Sequence, residues 1–371
     1  MKSSSNSAVL EETSVQTTTD TLLVGLDLGT NTSALLASSP KSADVSIREL
    51  IPSIVGYAKD GILDGVLPGN ATILFGHEAL KRKLYLNLVR PLKGGTIADL
   101  DSARHFARHL RTRLSISPNT EIRAVIGVPA KADPAARETL RQAVTGVFDK
   151  VLFIPEPFLA ALGMRDESRL GDADYADPVR NSLFIDIGGG STDLCLMRGY
   201  YPQAEDLVST TFAGDAIDQL VYNAILQTYP DCQISLHKVC EIKERHSFVM
   251  SPETQVIVDP VVAGRTRQFD ITEQLAAGCE AMLKHVLDLS RSLIARADPD
   301  AIPELLQNIV LTGGGSLIRG LGVALQTQLI EDGYENPKVS VIGPNYKEQV
   351  ARGALKAARQ AKDRQWQTIL R

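Results

Sequence analysis

LFIDIGGGSTDL, residues Leu183 to Leu194, decides how the rest of the chain is read. Three apolar residues lead into a lone acid, Asp186, and Ile187 then opens onto Gly188, Gly189 and Gly190. Ser191, Thr192 and a second acid, Asp193, follow. A short apolar run bounded by glycine predicts a buried strand entering a tight turn. Without Cβ atoms, the three glycines let the backbone bend sharply and approach a ligand closely. Successive N–H groups in such a turn form an anion-binding concavity. The carboxylate of Asp186 would repel a bare phosphate there, unless a divalent cation stands between them. The stretch therefore has two readings: a Mg-phosphate site, or an ordinary strand–turn–strand hairpin with a structural glycine run.

The same pattern occurs earlier, in LLVGLDLGTNTSALLA from Leu22 to Ala37. An apolar run meets Asp27, then Leu28 and Gly29, then Thr30, Asn31, Thr32 and Ser33. Two such turns about half a chain apart are the sign of a duplicated domain. Facing each other, they would grip a polyphosphate from both sides, which favours the phosphate reading. The short hydroxyl side chains would donate to phosphate oxygens, and the two carboxylates would hold hydrated Mg²⁺. A third glycine turn, Gly313, Gly314 and Gly315, follows a buried strand in NIVLTGGGSLIRGLGVALQTQL, Asn308 to Leu329. Such a turn before a helix seats a phosphate or lets a flat base approach the backbone. GxGxxG after a first strand and GxxxxGK[ST] are both absent, which argues against a dinucleotide enzyme and a P-loop protein.

With 371 residues the chain is long enough for two domains or one bilobal body. A net charge of -5 offers no basic face for nucleic acid. Cys195, Cys232, Cys240 and Cys279 match no zinc spacing, and reduced buried thiols of a cytoplasmic protein are expected. No segment approaches the ~18 consecutive apolar residues of a transmembrane helix. Residues 1–20 are Ser/Thr-rich without periodicity, predicting a disordered tail with neither a secretory signal nor an amphipathic anchor.

Between the turns, residues 51–91 predict short strands and one helix, with Lys81, Arg82 and Lys83 on a solvated helix face. Asp99–Leu114 predicts a helix with Phe106 and Leu110 on one face. Glu121–Val144 reads as strand, turn and helix, with Asp133 as N-cap and Pro134 at the first helical position. A strand over Val151–Ile154 runs into Glu156, held between Pro155 and Pro157. That carboxylate either orients a water at a strand end or simply favours a helix N-terminus. Residues 165–180 form a charged surface loop. Gly214 and Asp215 precede a helix through Tyr229, and Leu236–Val249 predicts another. On that second helix Lys243 and Glu244 either reach a ligand or face water. Glu253–Phe269 alternates like a hairpin, and Ile271–Ala297 is helical. Residues 210–269 thus form a second insert, symmetric with the first.

Taken together, the chain resembles the actin/Hsp70/sugar-kinase superfamily over about Leu22 to Ala358. GLDLGTNTS and FIDIGGGSTDL resemble its two phosphate loops; IGVPA and RGALKAA (Arg352–Ala358) resemble its connecting segments; VLTGGGSLIRGL resembles its adenosine motif. RPLKGGTIADLDSA (Arg90–Ala103) and EPFLAALGM (Glu156–Met164) resemble prokaryotic actins of the MreB type. PSIVGYAKDG, YLNLVRPL and KERHSFV resemble the MamK branch, which organises magnetosome chains.

The resemblance implies an α/β fold of actin-like, duplicated, ribonuclease H-like domains, with four subdomains around a nucleotide cleft. Residues 21–50 and 92–164 would form subdomain IA, 51–91 IB, 165–209 and 270–371 IIA, and 210–269 IIB. ATP or ADP with Mg²⁺ would occupy the cleft. Asp27 and Asp186 would hold the hydrated metal, and Glu156 would position the attacking water. Gly29, Thr30, Asn31 and Thr32 would line one phosphate loop, and Gly188, Gly189, Gly190 and Ser191 the other. Gly214 and Asp215 would lie near the ribose, and Lys243 and Glu244 beside adenosine. Gly313, Gly314, Gly315 and Ser316 would back the adenine. The implied function is an ATPase forming cytoplasmic filaments, with itself and magnetosome-associated proteins as partners, and with no nucleic acid and no direct membrane insertion. The competing expectations are a cell-shape filament, a monomeric adaptor or chaperone, and a sugar kinase.

Overall fold

The computed structural model describes residues 20–368 apart from Ala43, Ser115, Pro118, Pro252 and Glu253. The tail expected over residues 1–20 lies, save for Asp20, outside the described residues.

Each half is built on a hairpin that begins with an apolar run. In the first, β1 (Thr21–Leu28) pairs antiparallel with β2 (Thr32–Ser38), placing Leu26 opposite Leu35 and Asp27 opposite Ala34. β3 (Ile47–Pro52) extends the sheet on that side. A small sheet of β4 (Val55–Ala58), β5 (Ile73–Phe75) and β6 (Leu86–Val89) carries α1 (Gly76–Lys81). Here α1 ends at Lys81, so the basic run straddles a helix end instead of covering one face. Lys81 and Arg82 both pair with Glu78, and Lys83 opens a 3-10 turn.

A tight hairpin of β7 (Leu92–Lys93) and β8 (Thr96–Ile97) turns through Gly94 and Gly95, both at positive φ. α2 (Leu100–Thr112) starts at Asp99, whose carboxylate accepts from Ser102 N at 2.7 Å. β9 (Glu121–Val128) runs parallel to β1. α3 (Pro134–Val144) is capped by Asp133, which accepts from Ala136 N at 2.6 Å. β10 (Lys150–Pro155) then leads without a loop into α4 (Glu156–Met164).

The second half repeats the scheme. β11 (Ser182–Ile187) and β12 (Thr192–Met197) form the hairpin, with Ile185 opposite Leu194 and Asp186 opposite Asp193. β13 (Leu207–Thr210) pairs beside β12. α5 (Gly214–Thr228) and α6 (Leu236–His246) follow. The helix expected through Val249 stops at His246, because the chain turns extended there. Val249 N then donates to Arg319 O at 2.9 Å, and Phe248 and Val249 are buried. The expected hairpin is present but pinched: β14 (Ile257–Val258) pairs with β17 (Phe269–Asp270), and β15 (Val261–Val262) with β16 (Arg265–Thr266). Pro260, which has no N–H to give a ladder, sits at the interruption. α7 (Thr272–Ile294) and α8 (Ile302–Leu306) lead to β18 (Ile309–Thr312), parallel to β11. The third glycine turn continues as a 3-10 turn, Gly314–Leu317, so α9 (Leu321–Glu331) begins later than expected, after Gly320 at φ 80°. β19 (Val339–Val341), α10 (Gln349–Gln360) and β20 (Gln367–Thr368) complete the described chain.

The sheet orders are β20-β10-β9-β1-β2-β3 and β13-β12-β11-β18-β19. In both, the acid-bearing strand lies between its hairpin partner and a parallel neighbour. Buried on both faces, these strands need unbroken apolar runs instead of alternation. Each sheet has its own apolar cluster on its outer side. A third cluster unites the two, joining Leu36 and Val125 to Phe184 and Val310 through Leu159 of α4 and Ala354 of α10. These two helices cross at glycines: a Cβ on Gly163 would lie 2.0 Å from Gln349 O, and one on Gly353 1.7 Å from Leu159 O. All four cysteines are free thiols. Among the described residues no helix is long and apolar enough to cross a membrane.

Candidate nucleotide site

The two hairpins bring Asp27 and Asp186 to the carboxyl ends of β1 and β11. In open α/β sheets this is where ligands sit. Glu156 is the first residue of α4, so it is a helix-terminal acid, and it is also buried within reach of the charges of the two aspartates. Burial pushes Asp27 up to about 7 and Asp186 up to about 8, with Asp193 and Asp27 adding to the latter. Glu156 is pushed well above its usual range by burial, then by the charges of Asp27, Asp193 and Asp186. The structure therefore collects the three acids expected from the sequence and adds a fourth.

That fourth, Asp193, is 1% exposed and accepts from Ala130 N at 2.9 Å. Burial raises it, while bonds from Ser209, Ser191 and Ala130 oppose the rise. A cluster of buried carboxylates with no cation among them is costly unless protonated or neutralised. Among the described residues no group of three or more His, Cys, Asp or Glu is arranged as a direct metal cage. Two carboxylates in need of positive charge suit a hydrated cation such as Mg²⁺, which keeps several of its waters.

The glycine turns meet face to face. A Cβ on Gly189 would lie 2.3 Å from Asn31 Nδ2, and one on Gly190 would lie 2.4 Å from Thr30 Oγ1. Gly188 N donates to Ser191 O at 2.8 Å, closing the second turn, and a Cβ on Gly29 would lie 2.4 Å from Thr32 O in the first. Gly214 N and Asp215 N donate to Gly188 O and Gly189 O at 3.0 and 2.7 Å, binding the start of α5 to the second turn.

Two residues expected to touch nucleotide have their polar groups engaged within the protein. The Lys243 ammonium pairs with Asp218 at 2.9 Å and donates to Gly214 O at 2.8 Å, joining α6 to α5. Ser316 Oγ donates to Gly313 O at 2.7 Å, closing its own turn. Glu244 is exposed. At Gly313, φ is 78° and a Cβ would lie 2.4 Å from Asp186 Oδ1, so only glycine lets the third turn approach this acid. A Cβ on Gly315 would meet Ile187 Cγ2 at 2.2 Å.

A model of the family described as MreB/Mbl protein matches residues 21–364. The chain belongs to the MreB/Mbl family. It is similar to "Actin-like protein MamK" of Paramagnetospirillum magneticum, 33% identical over 353 residues that cover 94% of this chain and 95% of that one. It is also similar to the solved structure "MamK double helical filament", with a TM-score of 0.82, 32% identity, and coverage of 92% of this chain and 100% of that one. A solved structure of a non-polymerising MamK mutant bound to AMPPNP matches with a TM-score of 0.66 and 32% identity, over 92% of this chain and 99% of that one. The fold is thus the actin-like one expected from the sequence.

Three neighbours of these residues carried no site assignment in the sequence. Asp193 was legible as the partner of Asp186, since a four-residue turn sets that register. The β7–β8 hairpin is legible as a Gly-Gly turn, but its contacts are not: Gly95 N donates to Thr30 Oγ1 at 3.3 Å, and Arg90, just ahead of it, donates to Asn31 Oδ1. The hairpin helps close a cavity of about 20 Å³ bounded by Leu28, Gly95, Gly127, Pro129, Arg137 and Glu156. That is room for about one water. Tyr346, the third, lies outside every glycine motif and reaches Gly314 only through the fold.

Proposed function

We propose that this chain is an actin-like ATPase of the cytoplasm whose subunits polymerise into filaments that organise or position magnetosomes. The observation that carries the nucleotide reading is the gathering of Asp27, Asp186 and Glu156 where two glycine turns meet. The turns would bind the polyphosphate through their N–H groups, with Thr30 and Ser191 hydroxyls beside them. Asp27 and Asp186 would hold Mg²⁺ through water, and the ion supplies charge neutralisation for the phosphates when bound.

Glu156 borders this small cavity, which supports the reading that it orients an attacking water. Positive charge that offsets Asp27 and Asp186 removes two of the causes that raise Glu156, returning it towards the carboxylate form that accepts a proton. Hydrolysis on this scheme is positioning and charge neutralisation without a covalent intermediate. Lys243 holds the first turn of α5, and with it Gly214 and Asp215, against the second phosphate turn. The four-subdomain division drawn from the sequence is part of the same proposal.

Filament formation is supported by similarity to a MamK filament over nearly the whole of both chains. Head-to-tail contacts that do not close generate such open assemblies. The magnetosome role rests on similarity to MamK. The test is sedimentation of the purified chain with and without ATP and Mg²⁺, with phosphate release followed in parallel and the pellet viewed by electron microscopy. ATP-dependent filaments are the expected result. Phosphate release from a chain that stays in the supernatant would overturn the filament reading, and unchanged magnetosome rows in cells lacking the chain would overturn the positioning role.

A further inference from the structure

Tyr346 lies in the 3-10 turn Pro344–Glu348, just ahead of α10, and is packed against the cluster between the two sheets. A Cβ built on Gly314 would lie 3.4 Å from the Tyr346 hydroxyl oxygen and 3.9 Å from Cζ. The phenol therefore faces the middle residue of the third glycine turn. The neighbouring glycines point elsewhere, Gly313 towards Asp186 and Gly315 towards Ile187. Burial raises the hydroxyl above its ordinary range, and the carboxylates of Glu244 and Asp186 raise it further.

We propose that Tyr346 is a base-contacting residue of the nucleotide site, a proposal that rests on the nucleotide reading above. The glycine turn offers bare backbone to a flat purine, and the phenol beside Gly314 offers that purine an apolar ring and a hydroxyl donor. Tyr346 thereby contributes to nucleoside binding, while the two hairpin turns hold the phosphates.

The experiment separates these parts. Competition against a fluorescent ATP analogue, with Mg²⁺ present, gives affinities for ATP and inorganic tripolyphosphate in the parent, Tyr346→Ala and Tyr346→Phe. Removing the ring is expected to weaken ATP by about tenfold, the scale of one lost aromatic contact. Tripolyphosphate should bind Tyr346→Ala as it binds the parent, which also reports that the site is folded. Tyr346→Phe keeps the ring and should retain ATP affinity within about threefold. Unchanged ATP affinity in Tyr346→Ala overturns the proposal, as does equal weakening of ATP and tripolyphosphate. A parent that binds neither compound instead sinks the nucleotide reading itself.

Discussion

Gly353→Ala sets local helix propensity against tertiary packing, and the two predict opposite signs. Gly353 lies within α10, where alanine is ordinarily better than glycine by about 1 kcal/mol. At this position a Cβ would sit 1.7 Å from Leu159 O, 2.6 Å from Leu159 C and 2.9 Å from Gly163 N. All three atoms belong to the backbone of α4 and cannot rotate away. A carbon–oxygen contact of about 3.3 Å requires the helices to part by roughly 1.5 Å. Overpacking of this kind costs about 1–3 kcal/mol, and the depth of this overlap puts the cost at the upper end. After the propensity gain, the variant should lose about 2 kcal/mol, or roughly 3 °C in Tm for a chain of this size.

Because α4 begins at Glu156, parting the helices also moves that carboxylate relative to Asp27, so ATP hydrolysis should fall as well. Thermal and urea unfolding, with phosphate release on the same samples, make the assay. Gly343→Ala is the control, since a Cβ there meets nothing within 4 Å. A Gly353→Ala chain as stable as the parent, or more stable, would refute the packing argument.

Two further outcomes test the acids. Glu156→Gln should bind ATP like the parent but release phosphate about 10²–10⁴-fold more slowly, the usual scale for a positioned base; a parental rate removes Glu156 from that role. Asp27 and Asp186 hold protons more tightly folded than unfolded, with values of about 7 and about 8 against 3.8. Their contribution to stability without Mg²⁺ should therefore be fully present below about pH 4 and be lost as pH rises towards 8. Asp186→Asn should flatten that loss, so its urea midpoint at pH 8 exceeds the parent's while the two converge at low pH; parallel profiles would contradict the shared acid cluster.

The legible parts of this chain are those set by neighbours in sequence. Apolar runs ending in Asp and glycine marked both hairpins, and their repetition indicated the duplicated fold. Asp133 and Pro134 marked the start of α3 in the same way, through a cap that spans three residues. The end of α6 was less legible. Nothing near Ser247 breaks a helical pattern, and the chain leaves the helix to pair with Arg319.

Sequence alone thus determined the actin-like class and marked the two glycine turns, with Asp27, Glu156 and Asp186 as acids expected to share one site. Tertiary structure decided which polar groups remain open to a ligand. Lys243 and Ser316 satisfy Gly214 and Gly313 carbonyls within the protein, while Tyr346 gains a place over Gly314 from a turn elsewhere in the chain. It also decided the α4–α10 crossing, where glycines that weaken isolated helices become the only residues that fit. The physical reason is range. Periodicity and capping act over a few residues, whereas the partner of a buried donor or a missing Cβ is chosen by packing between segments far apart, as in the Arg48–Glu348 ion pair at 2.6 Å.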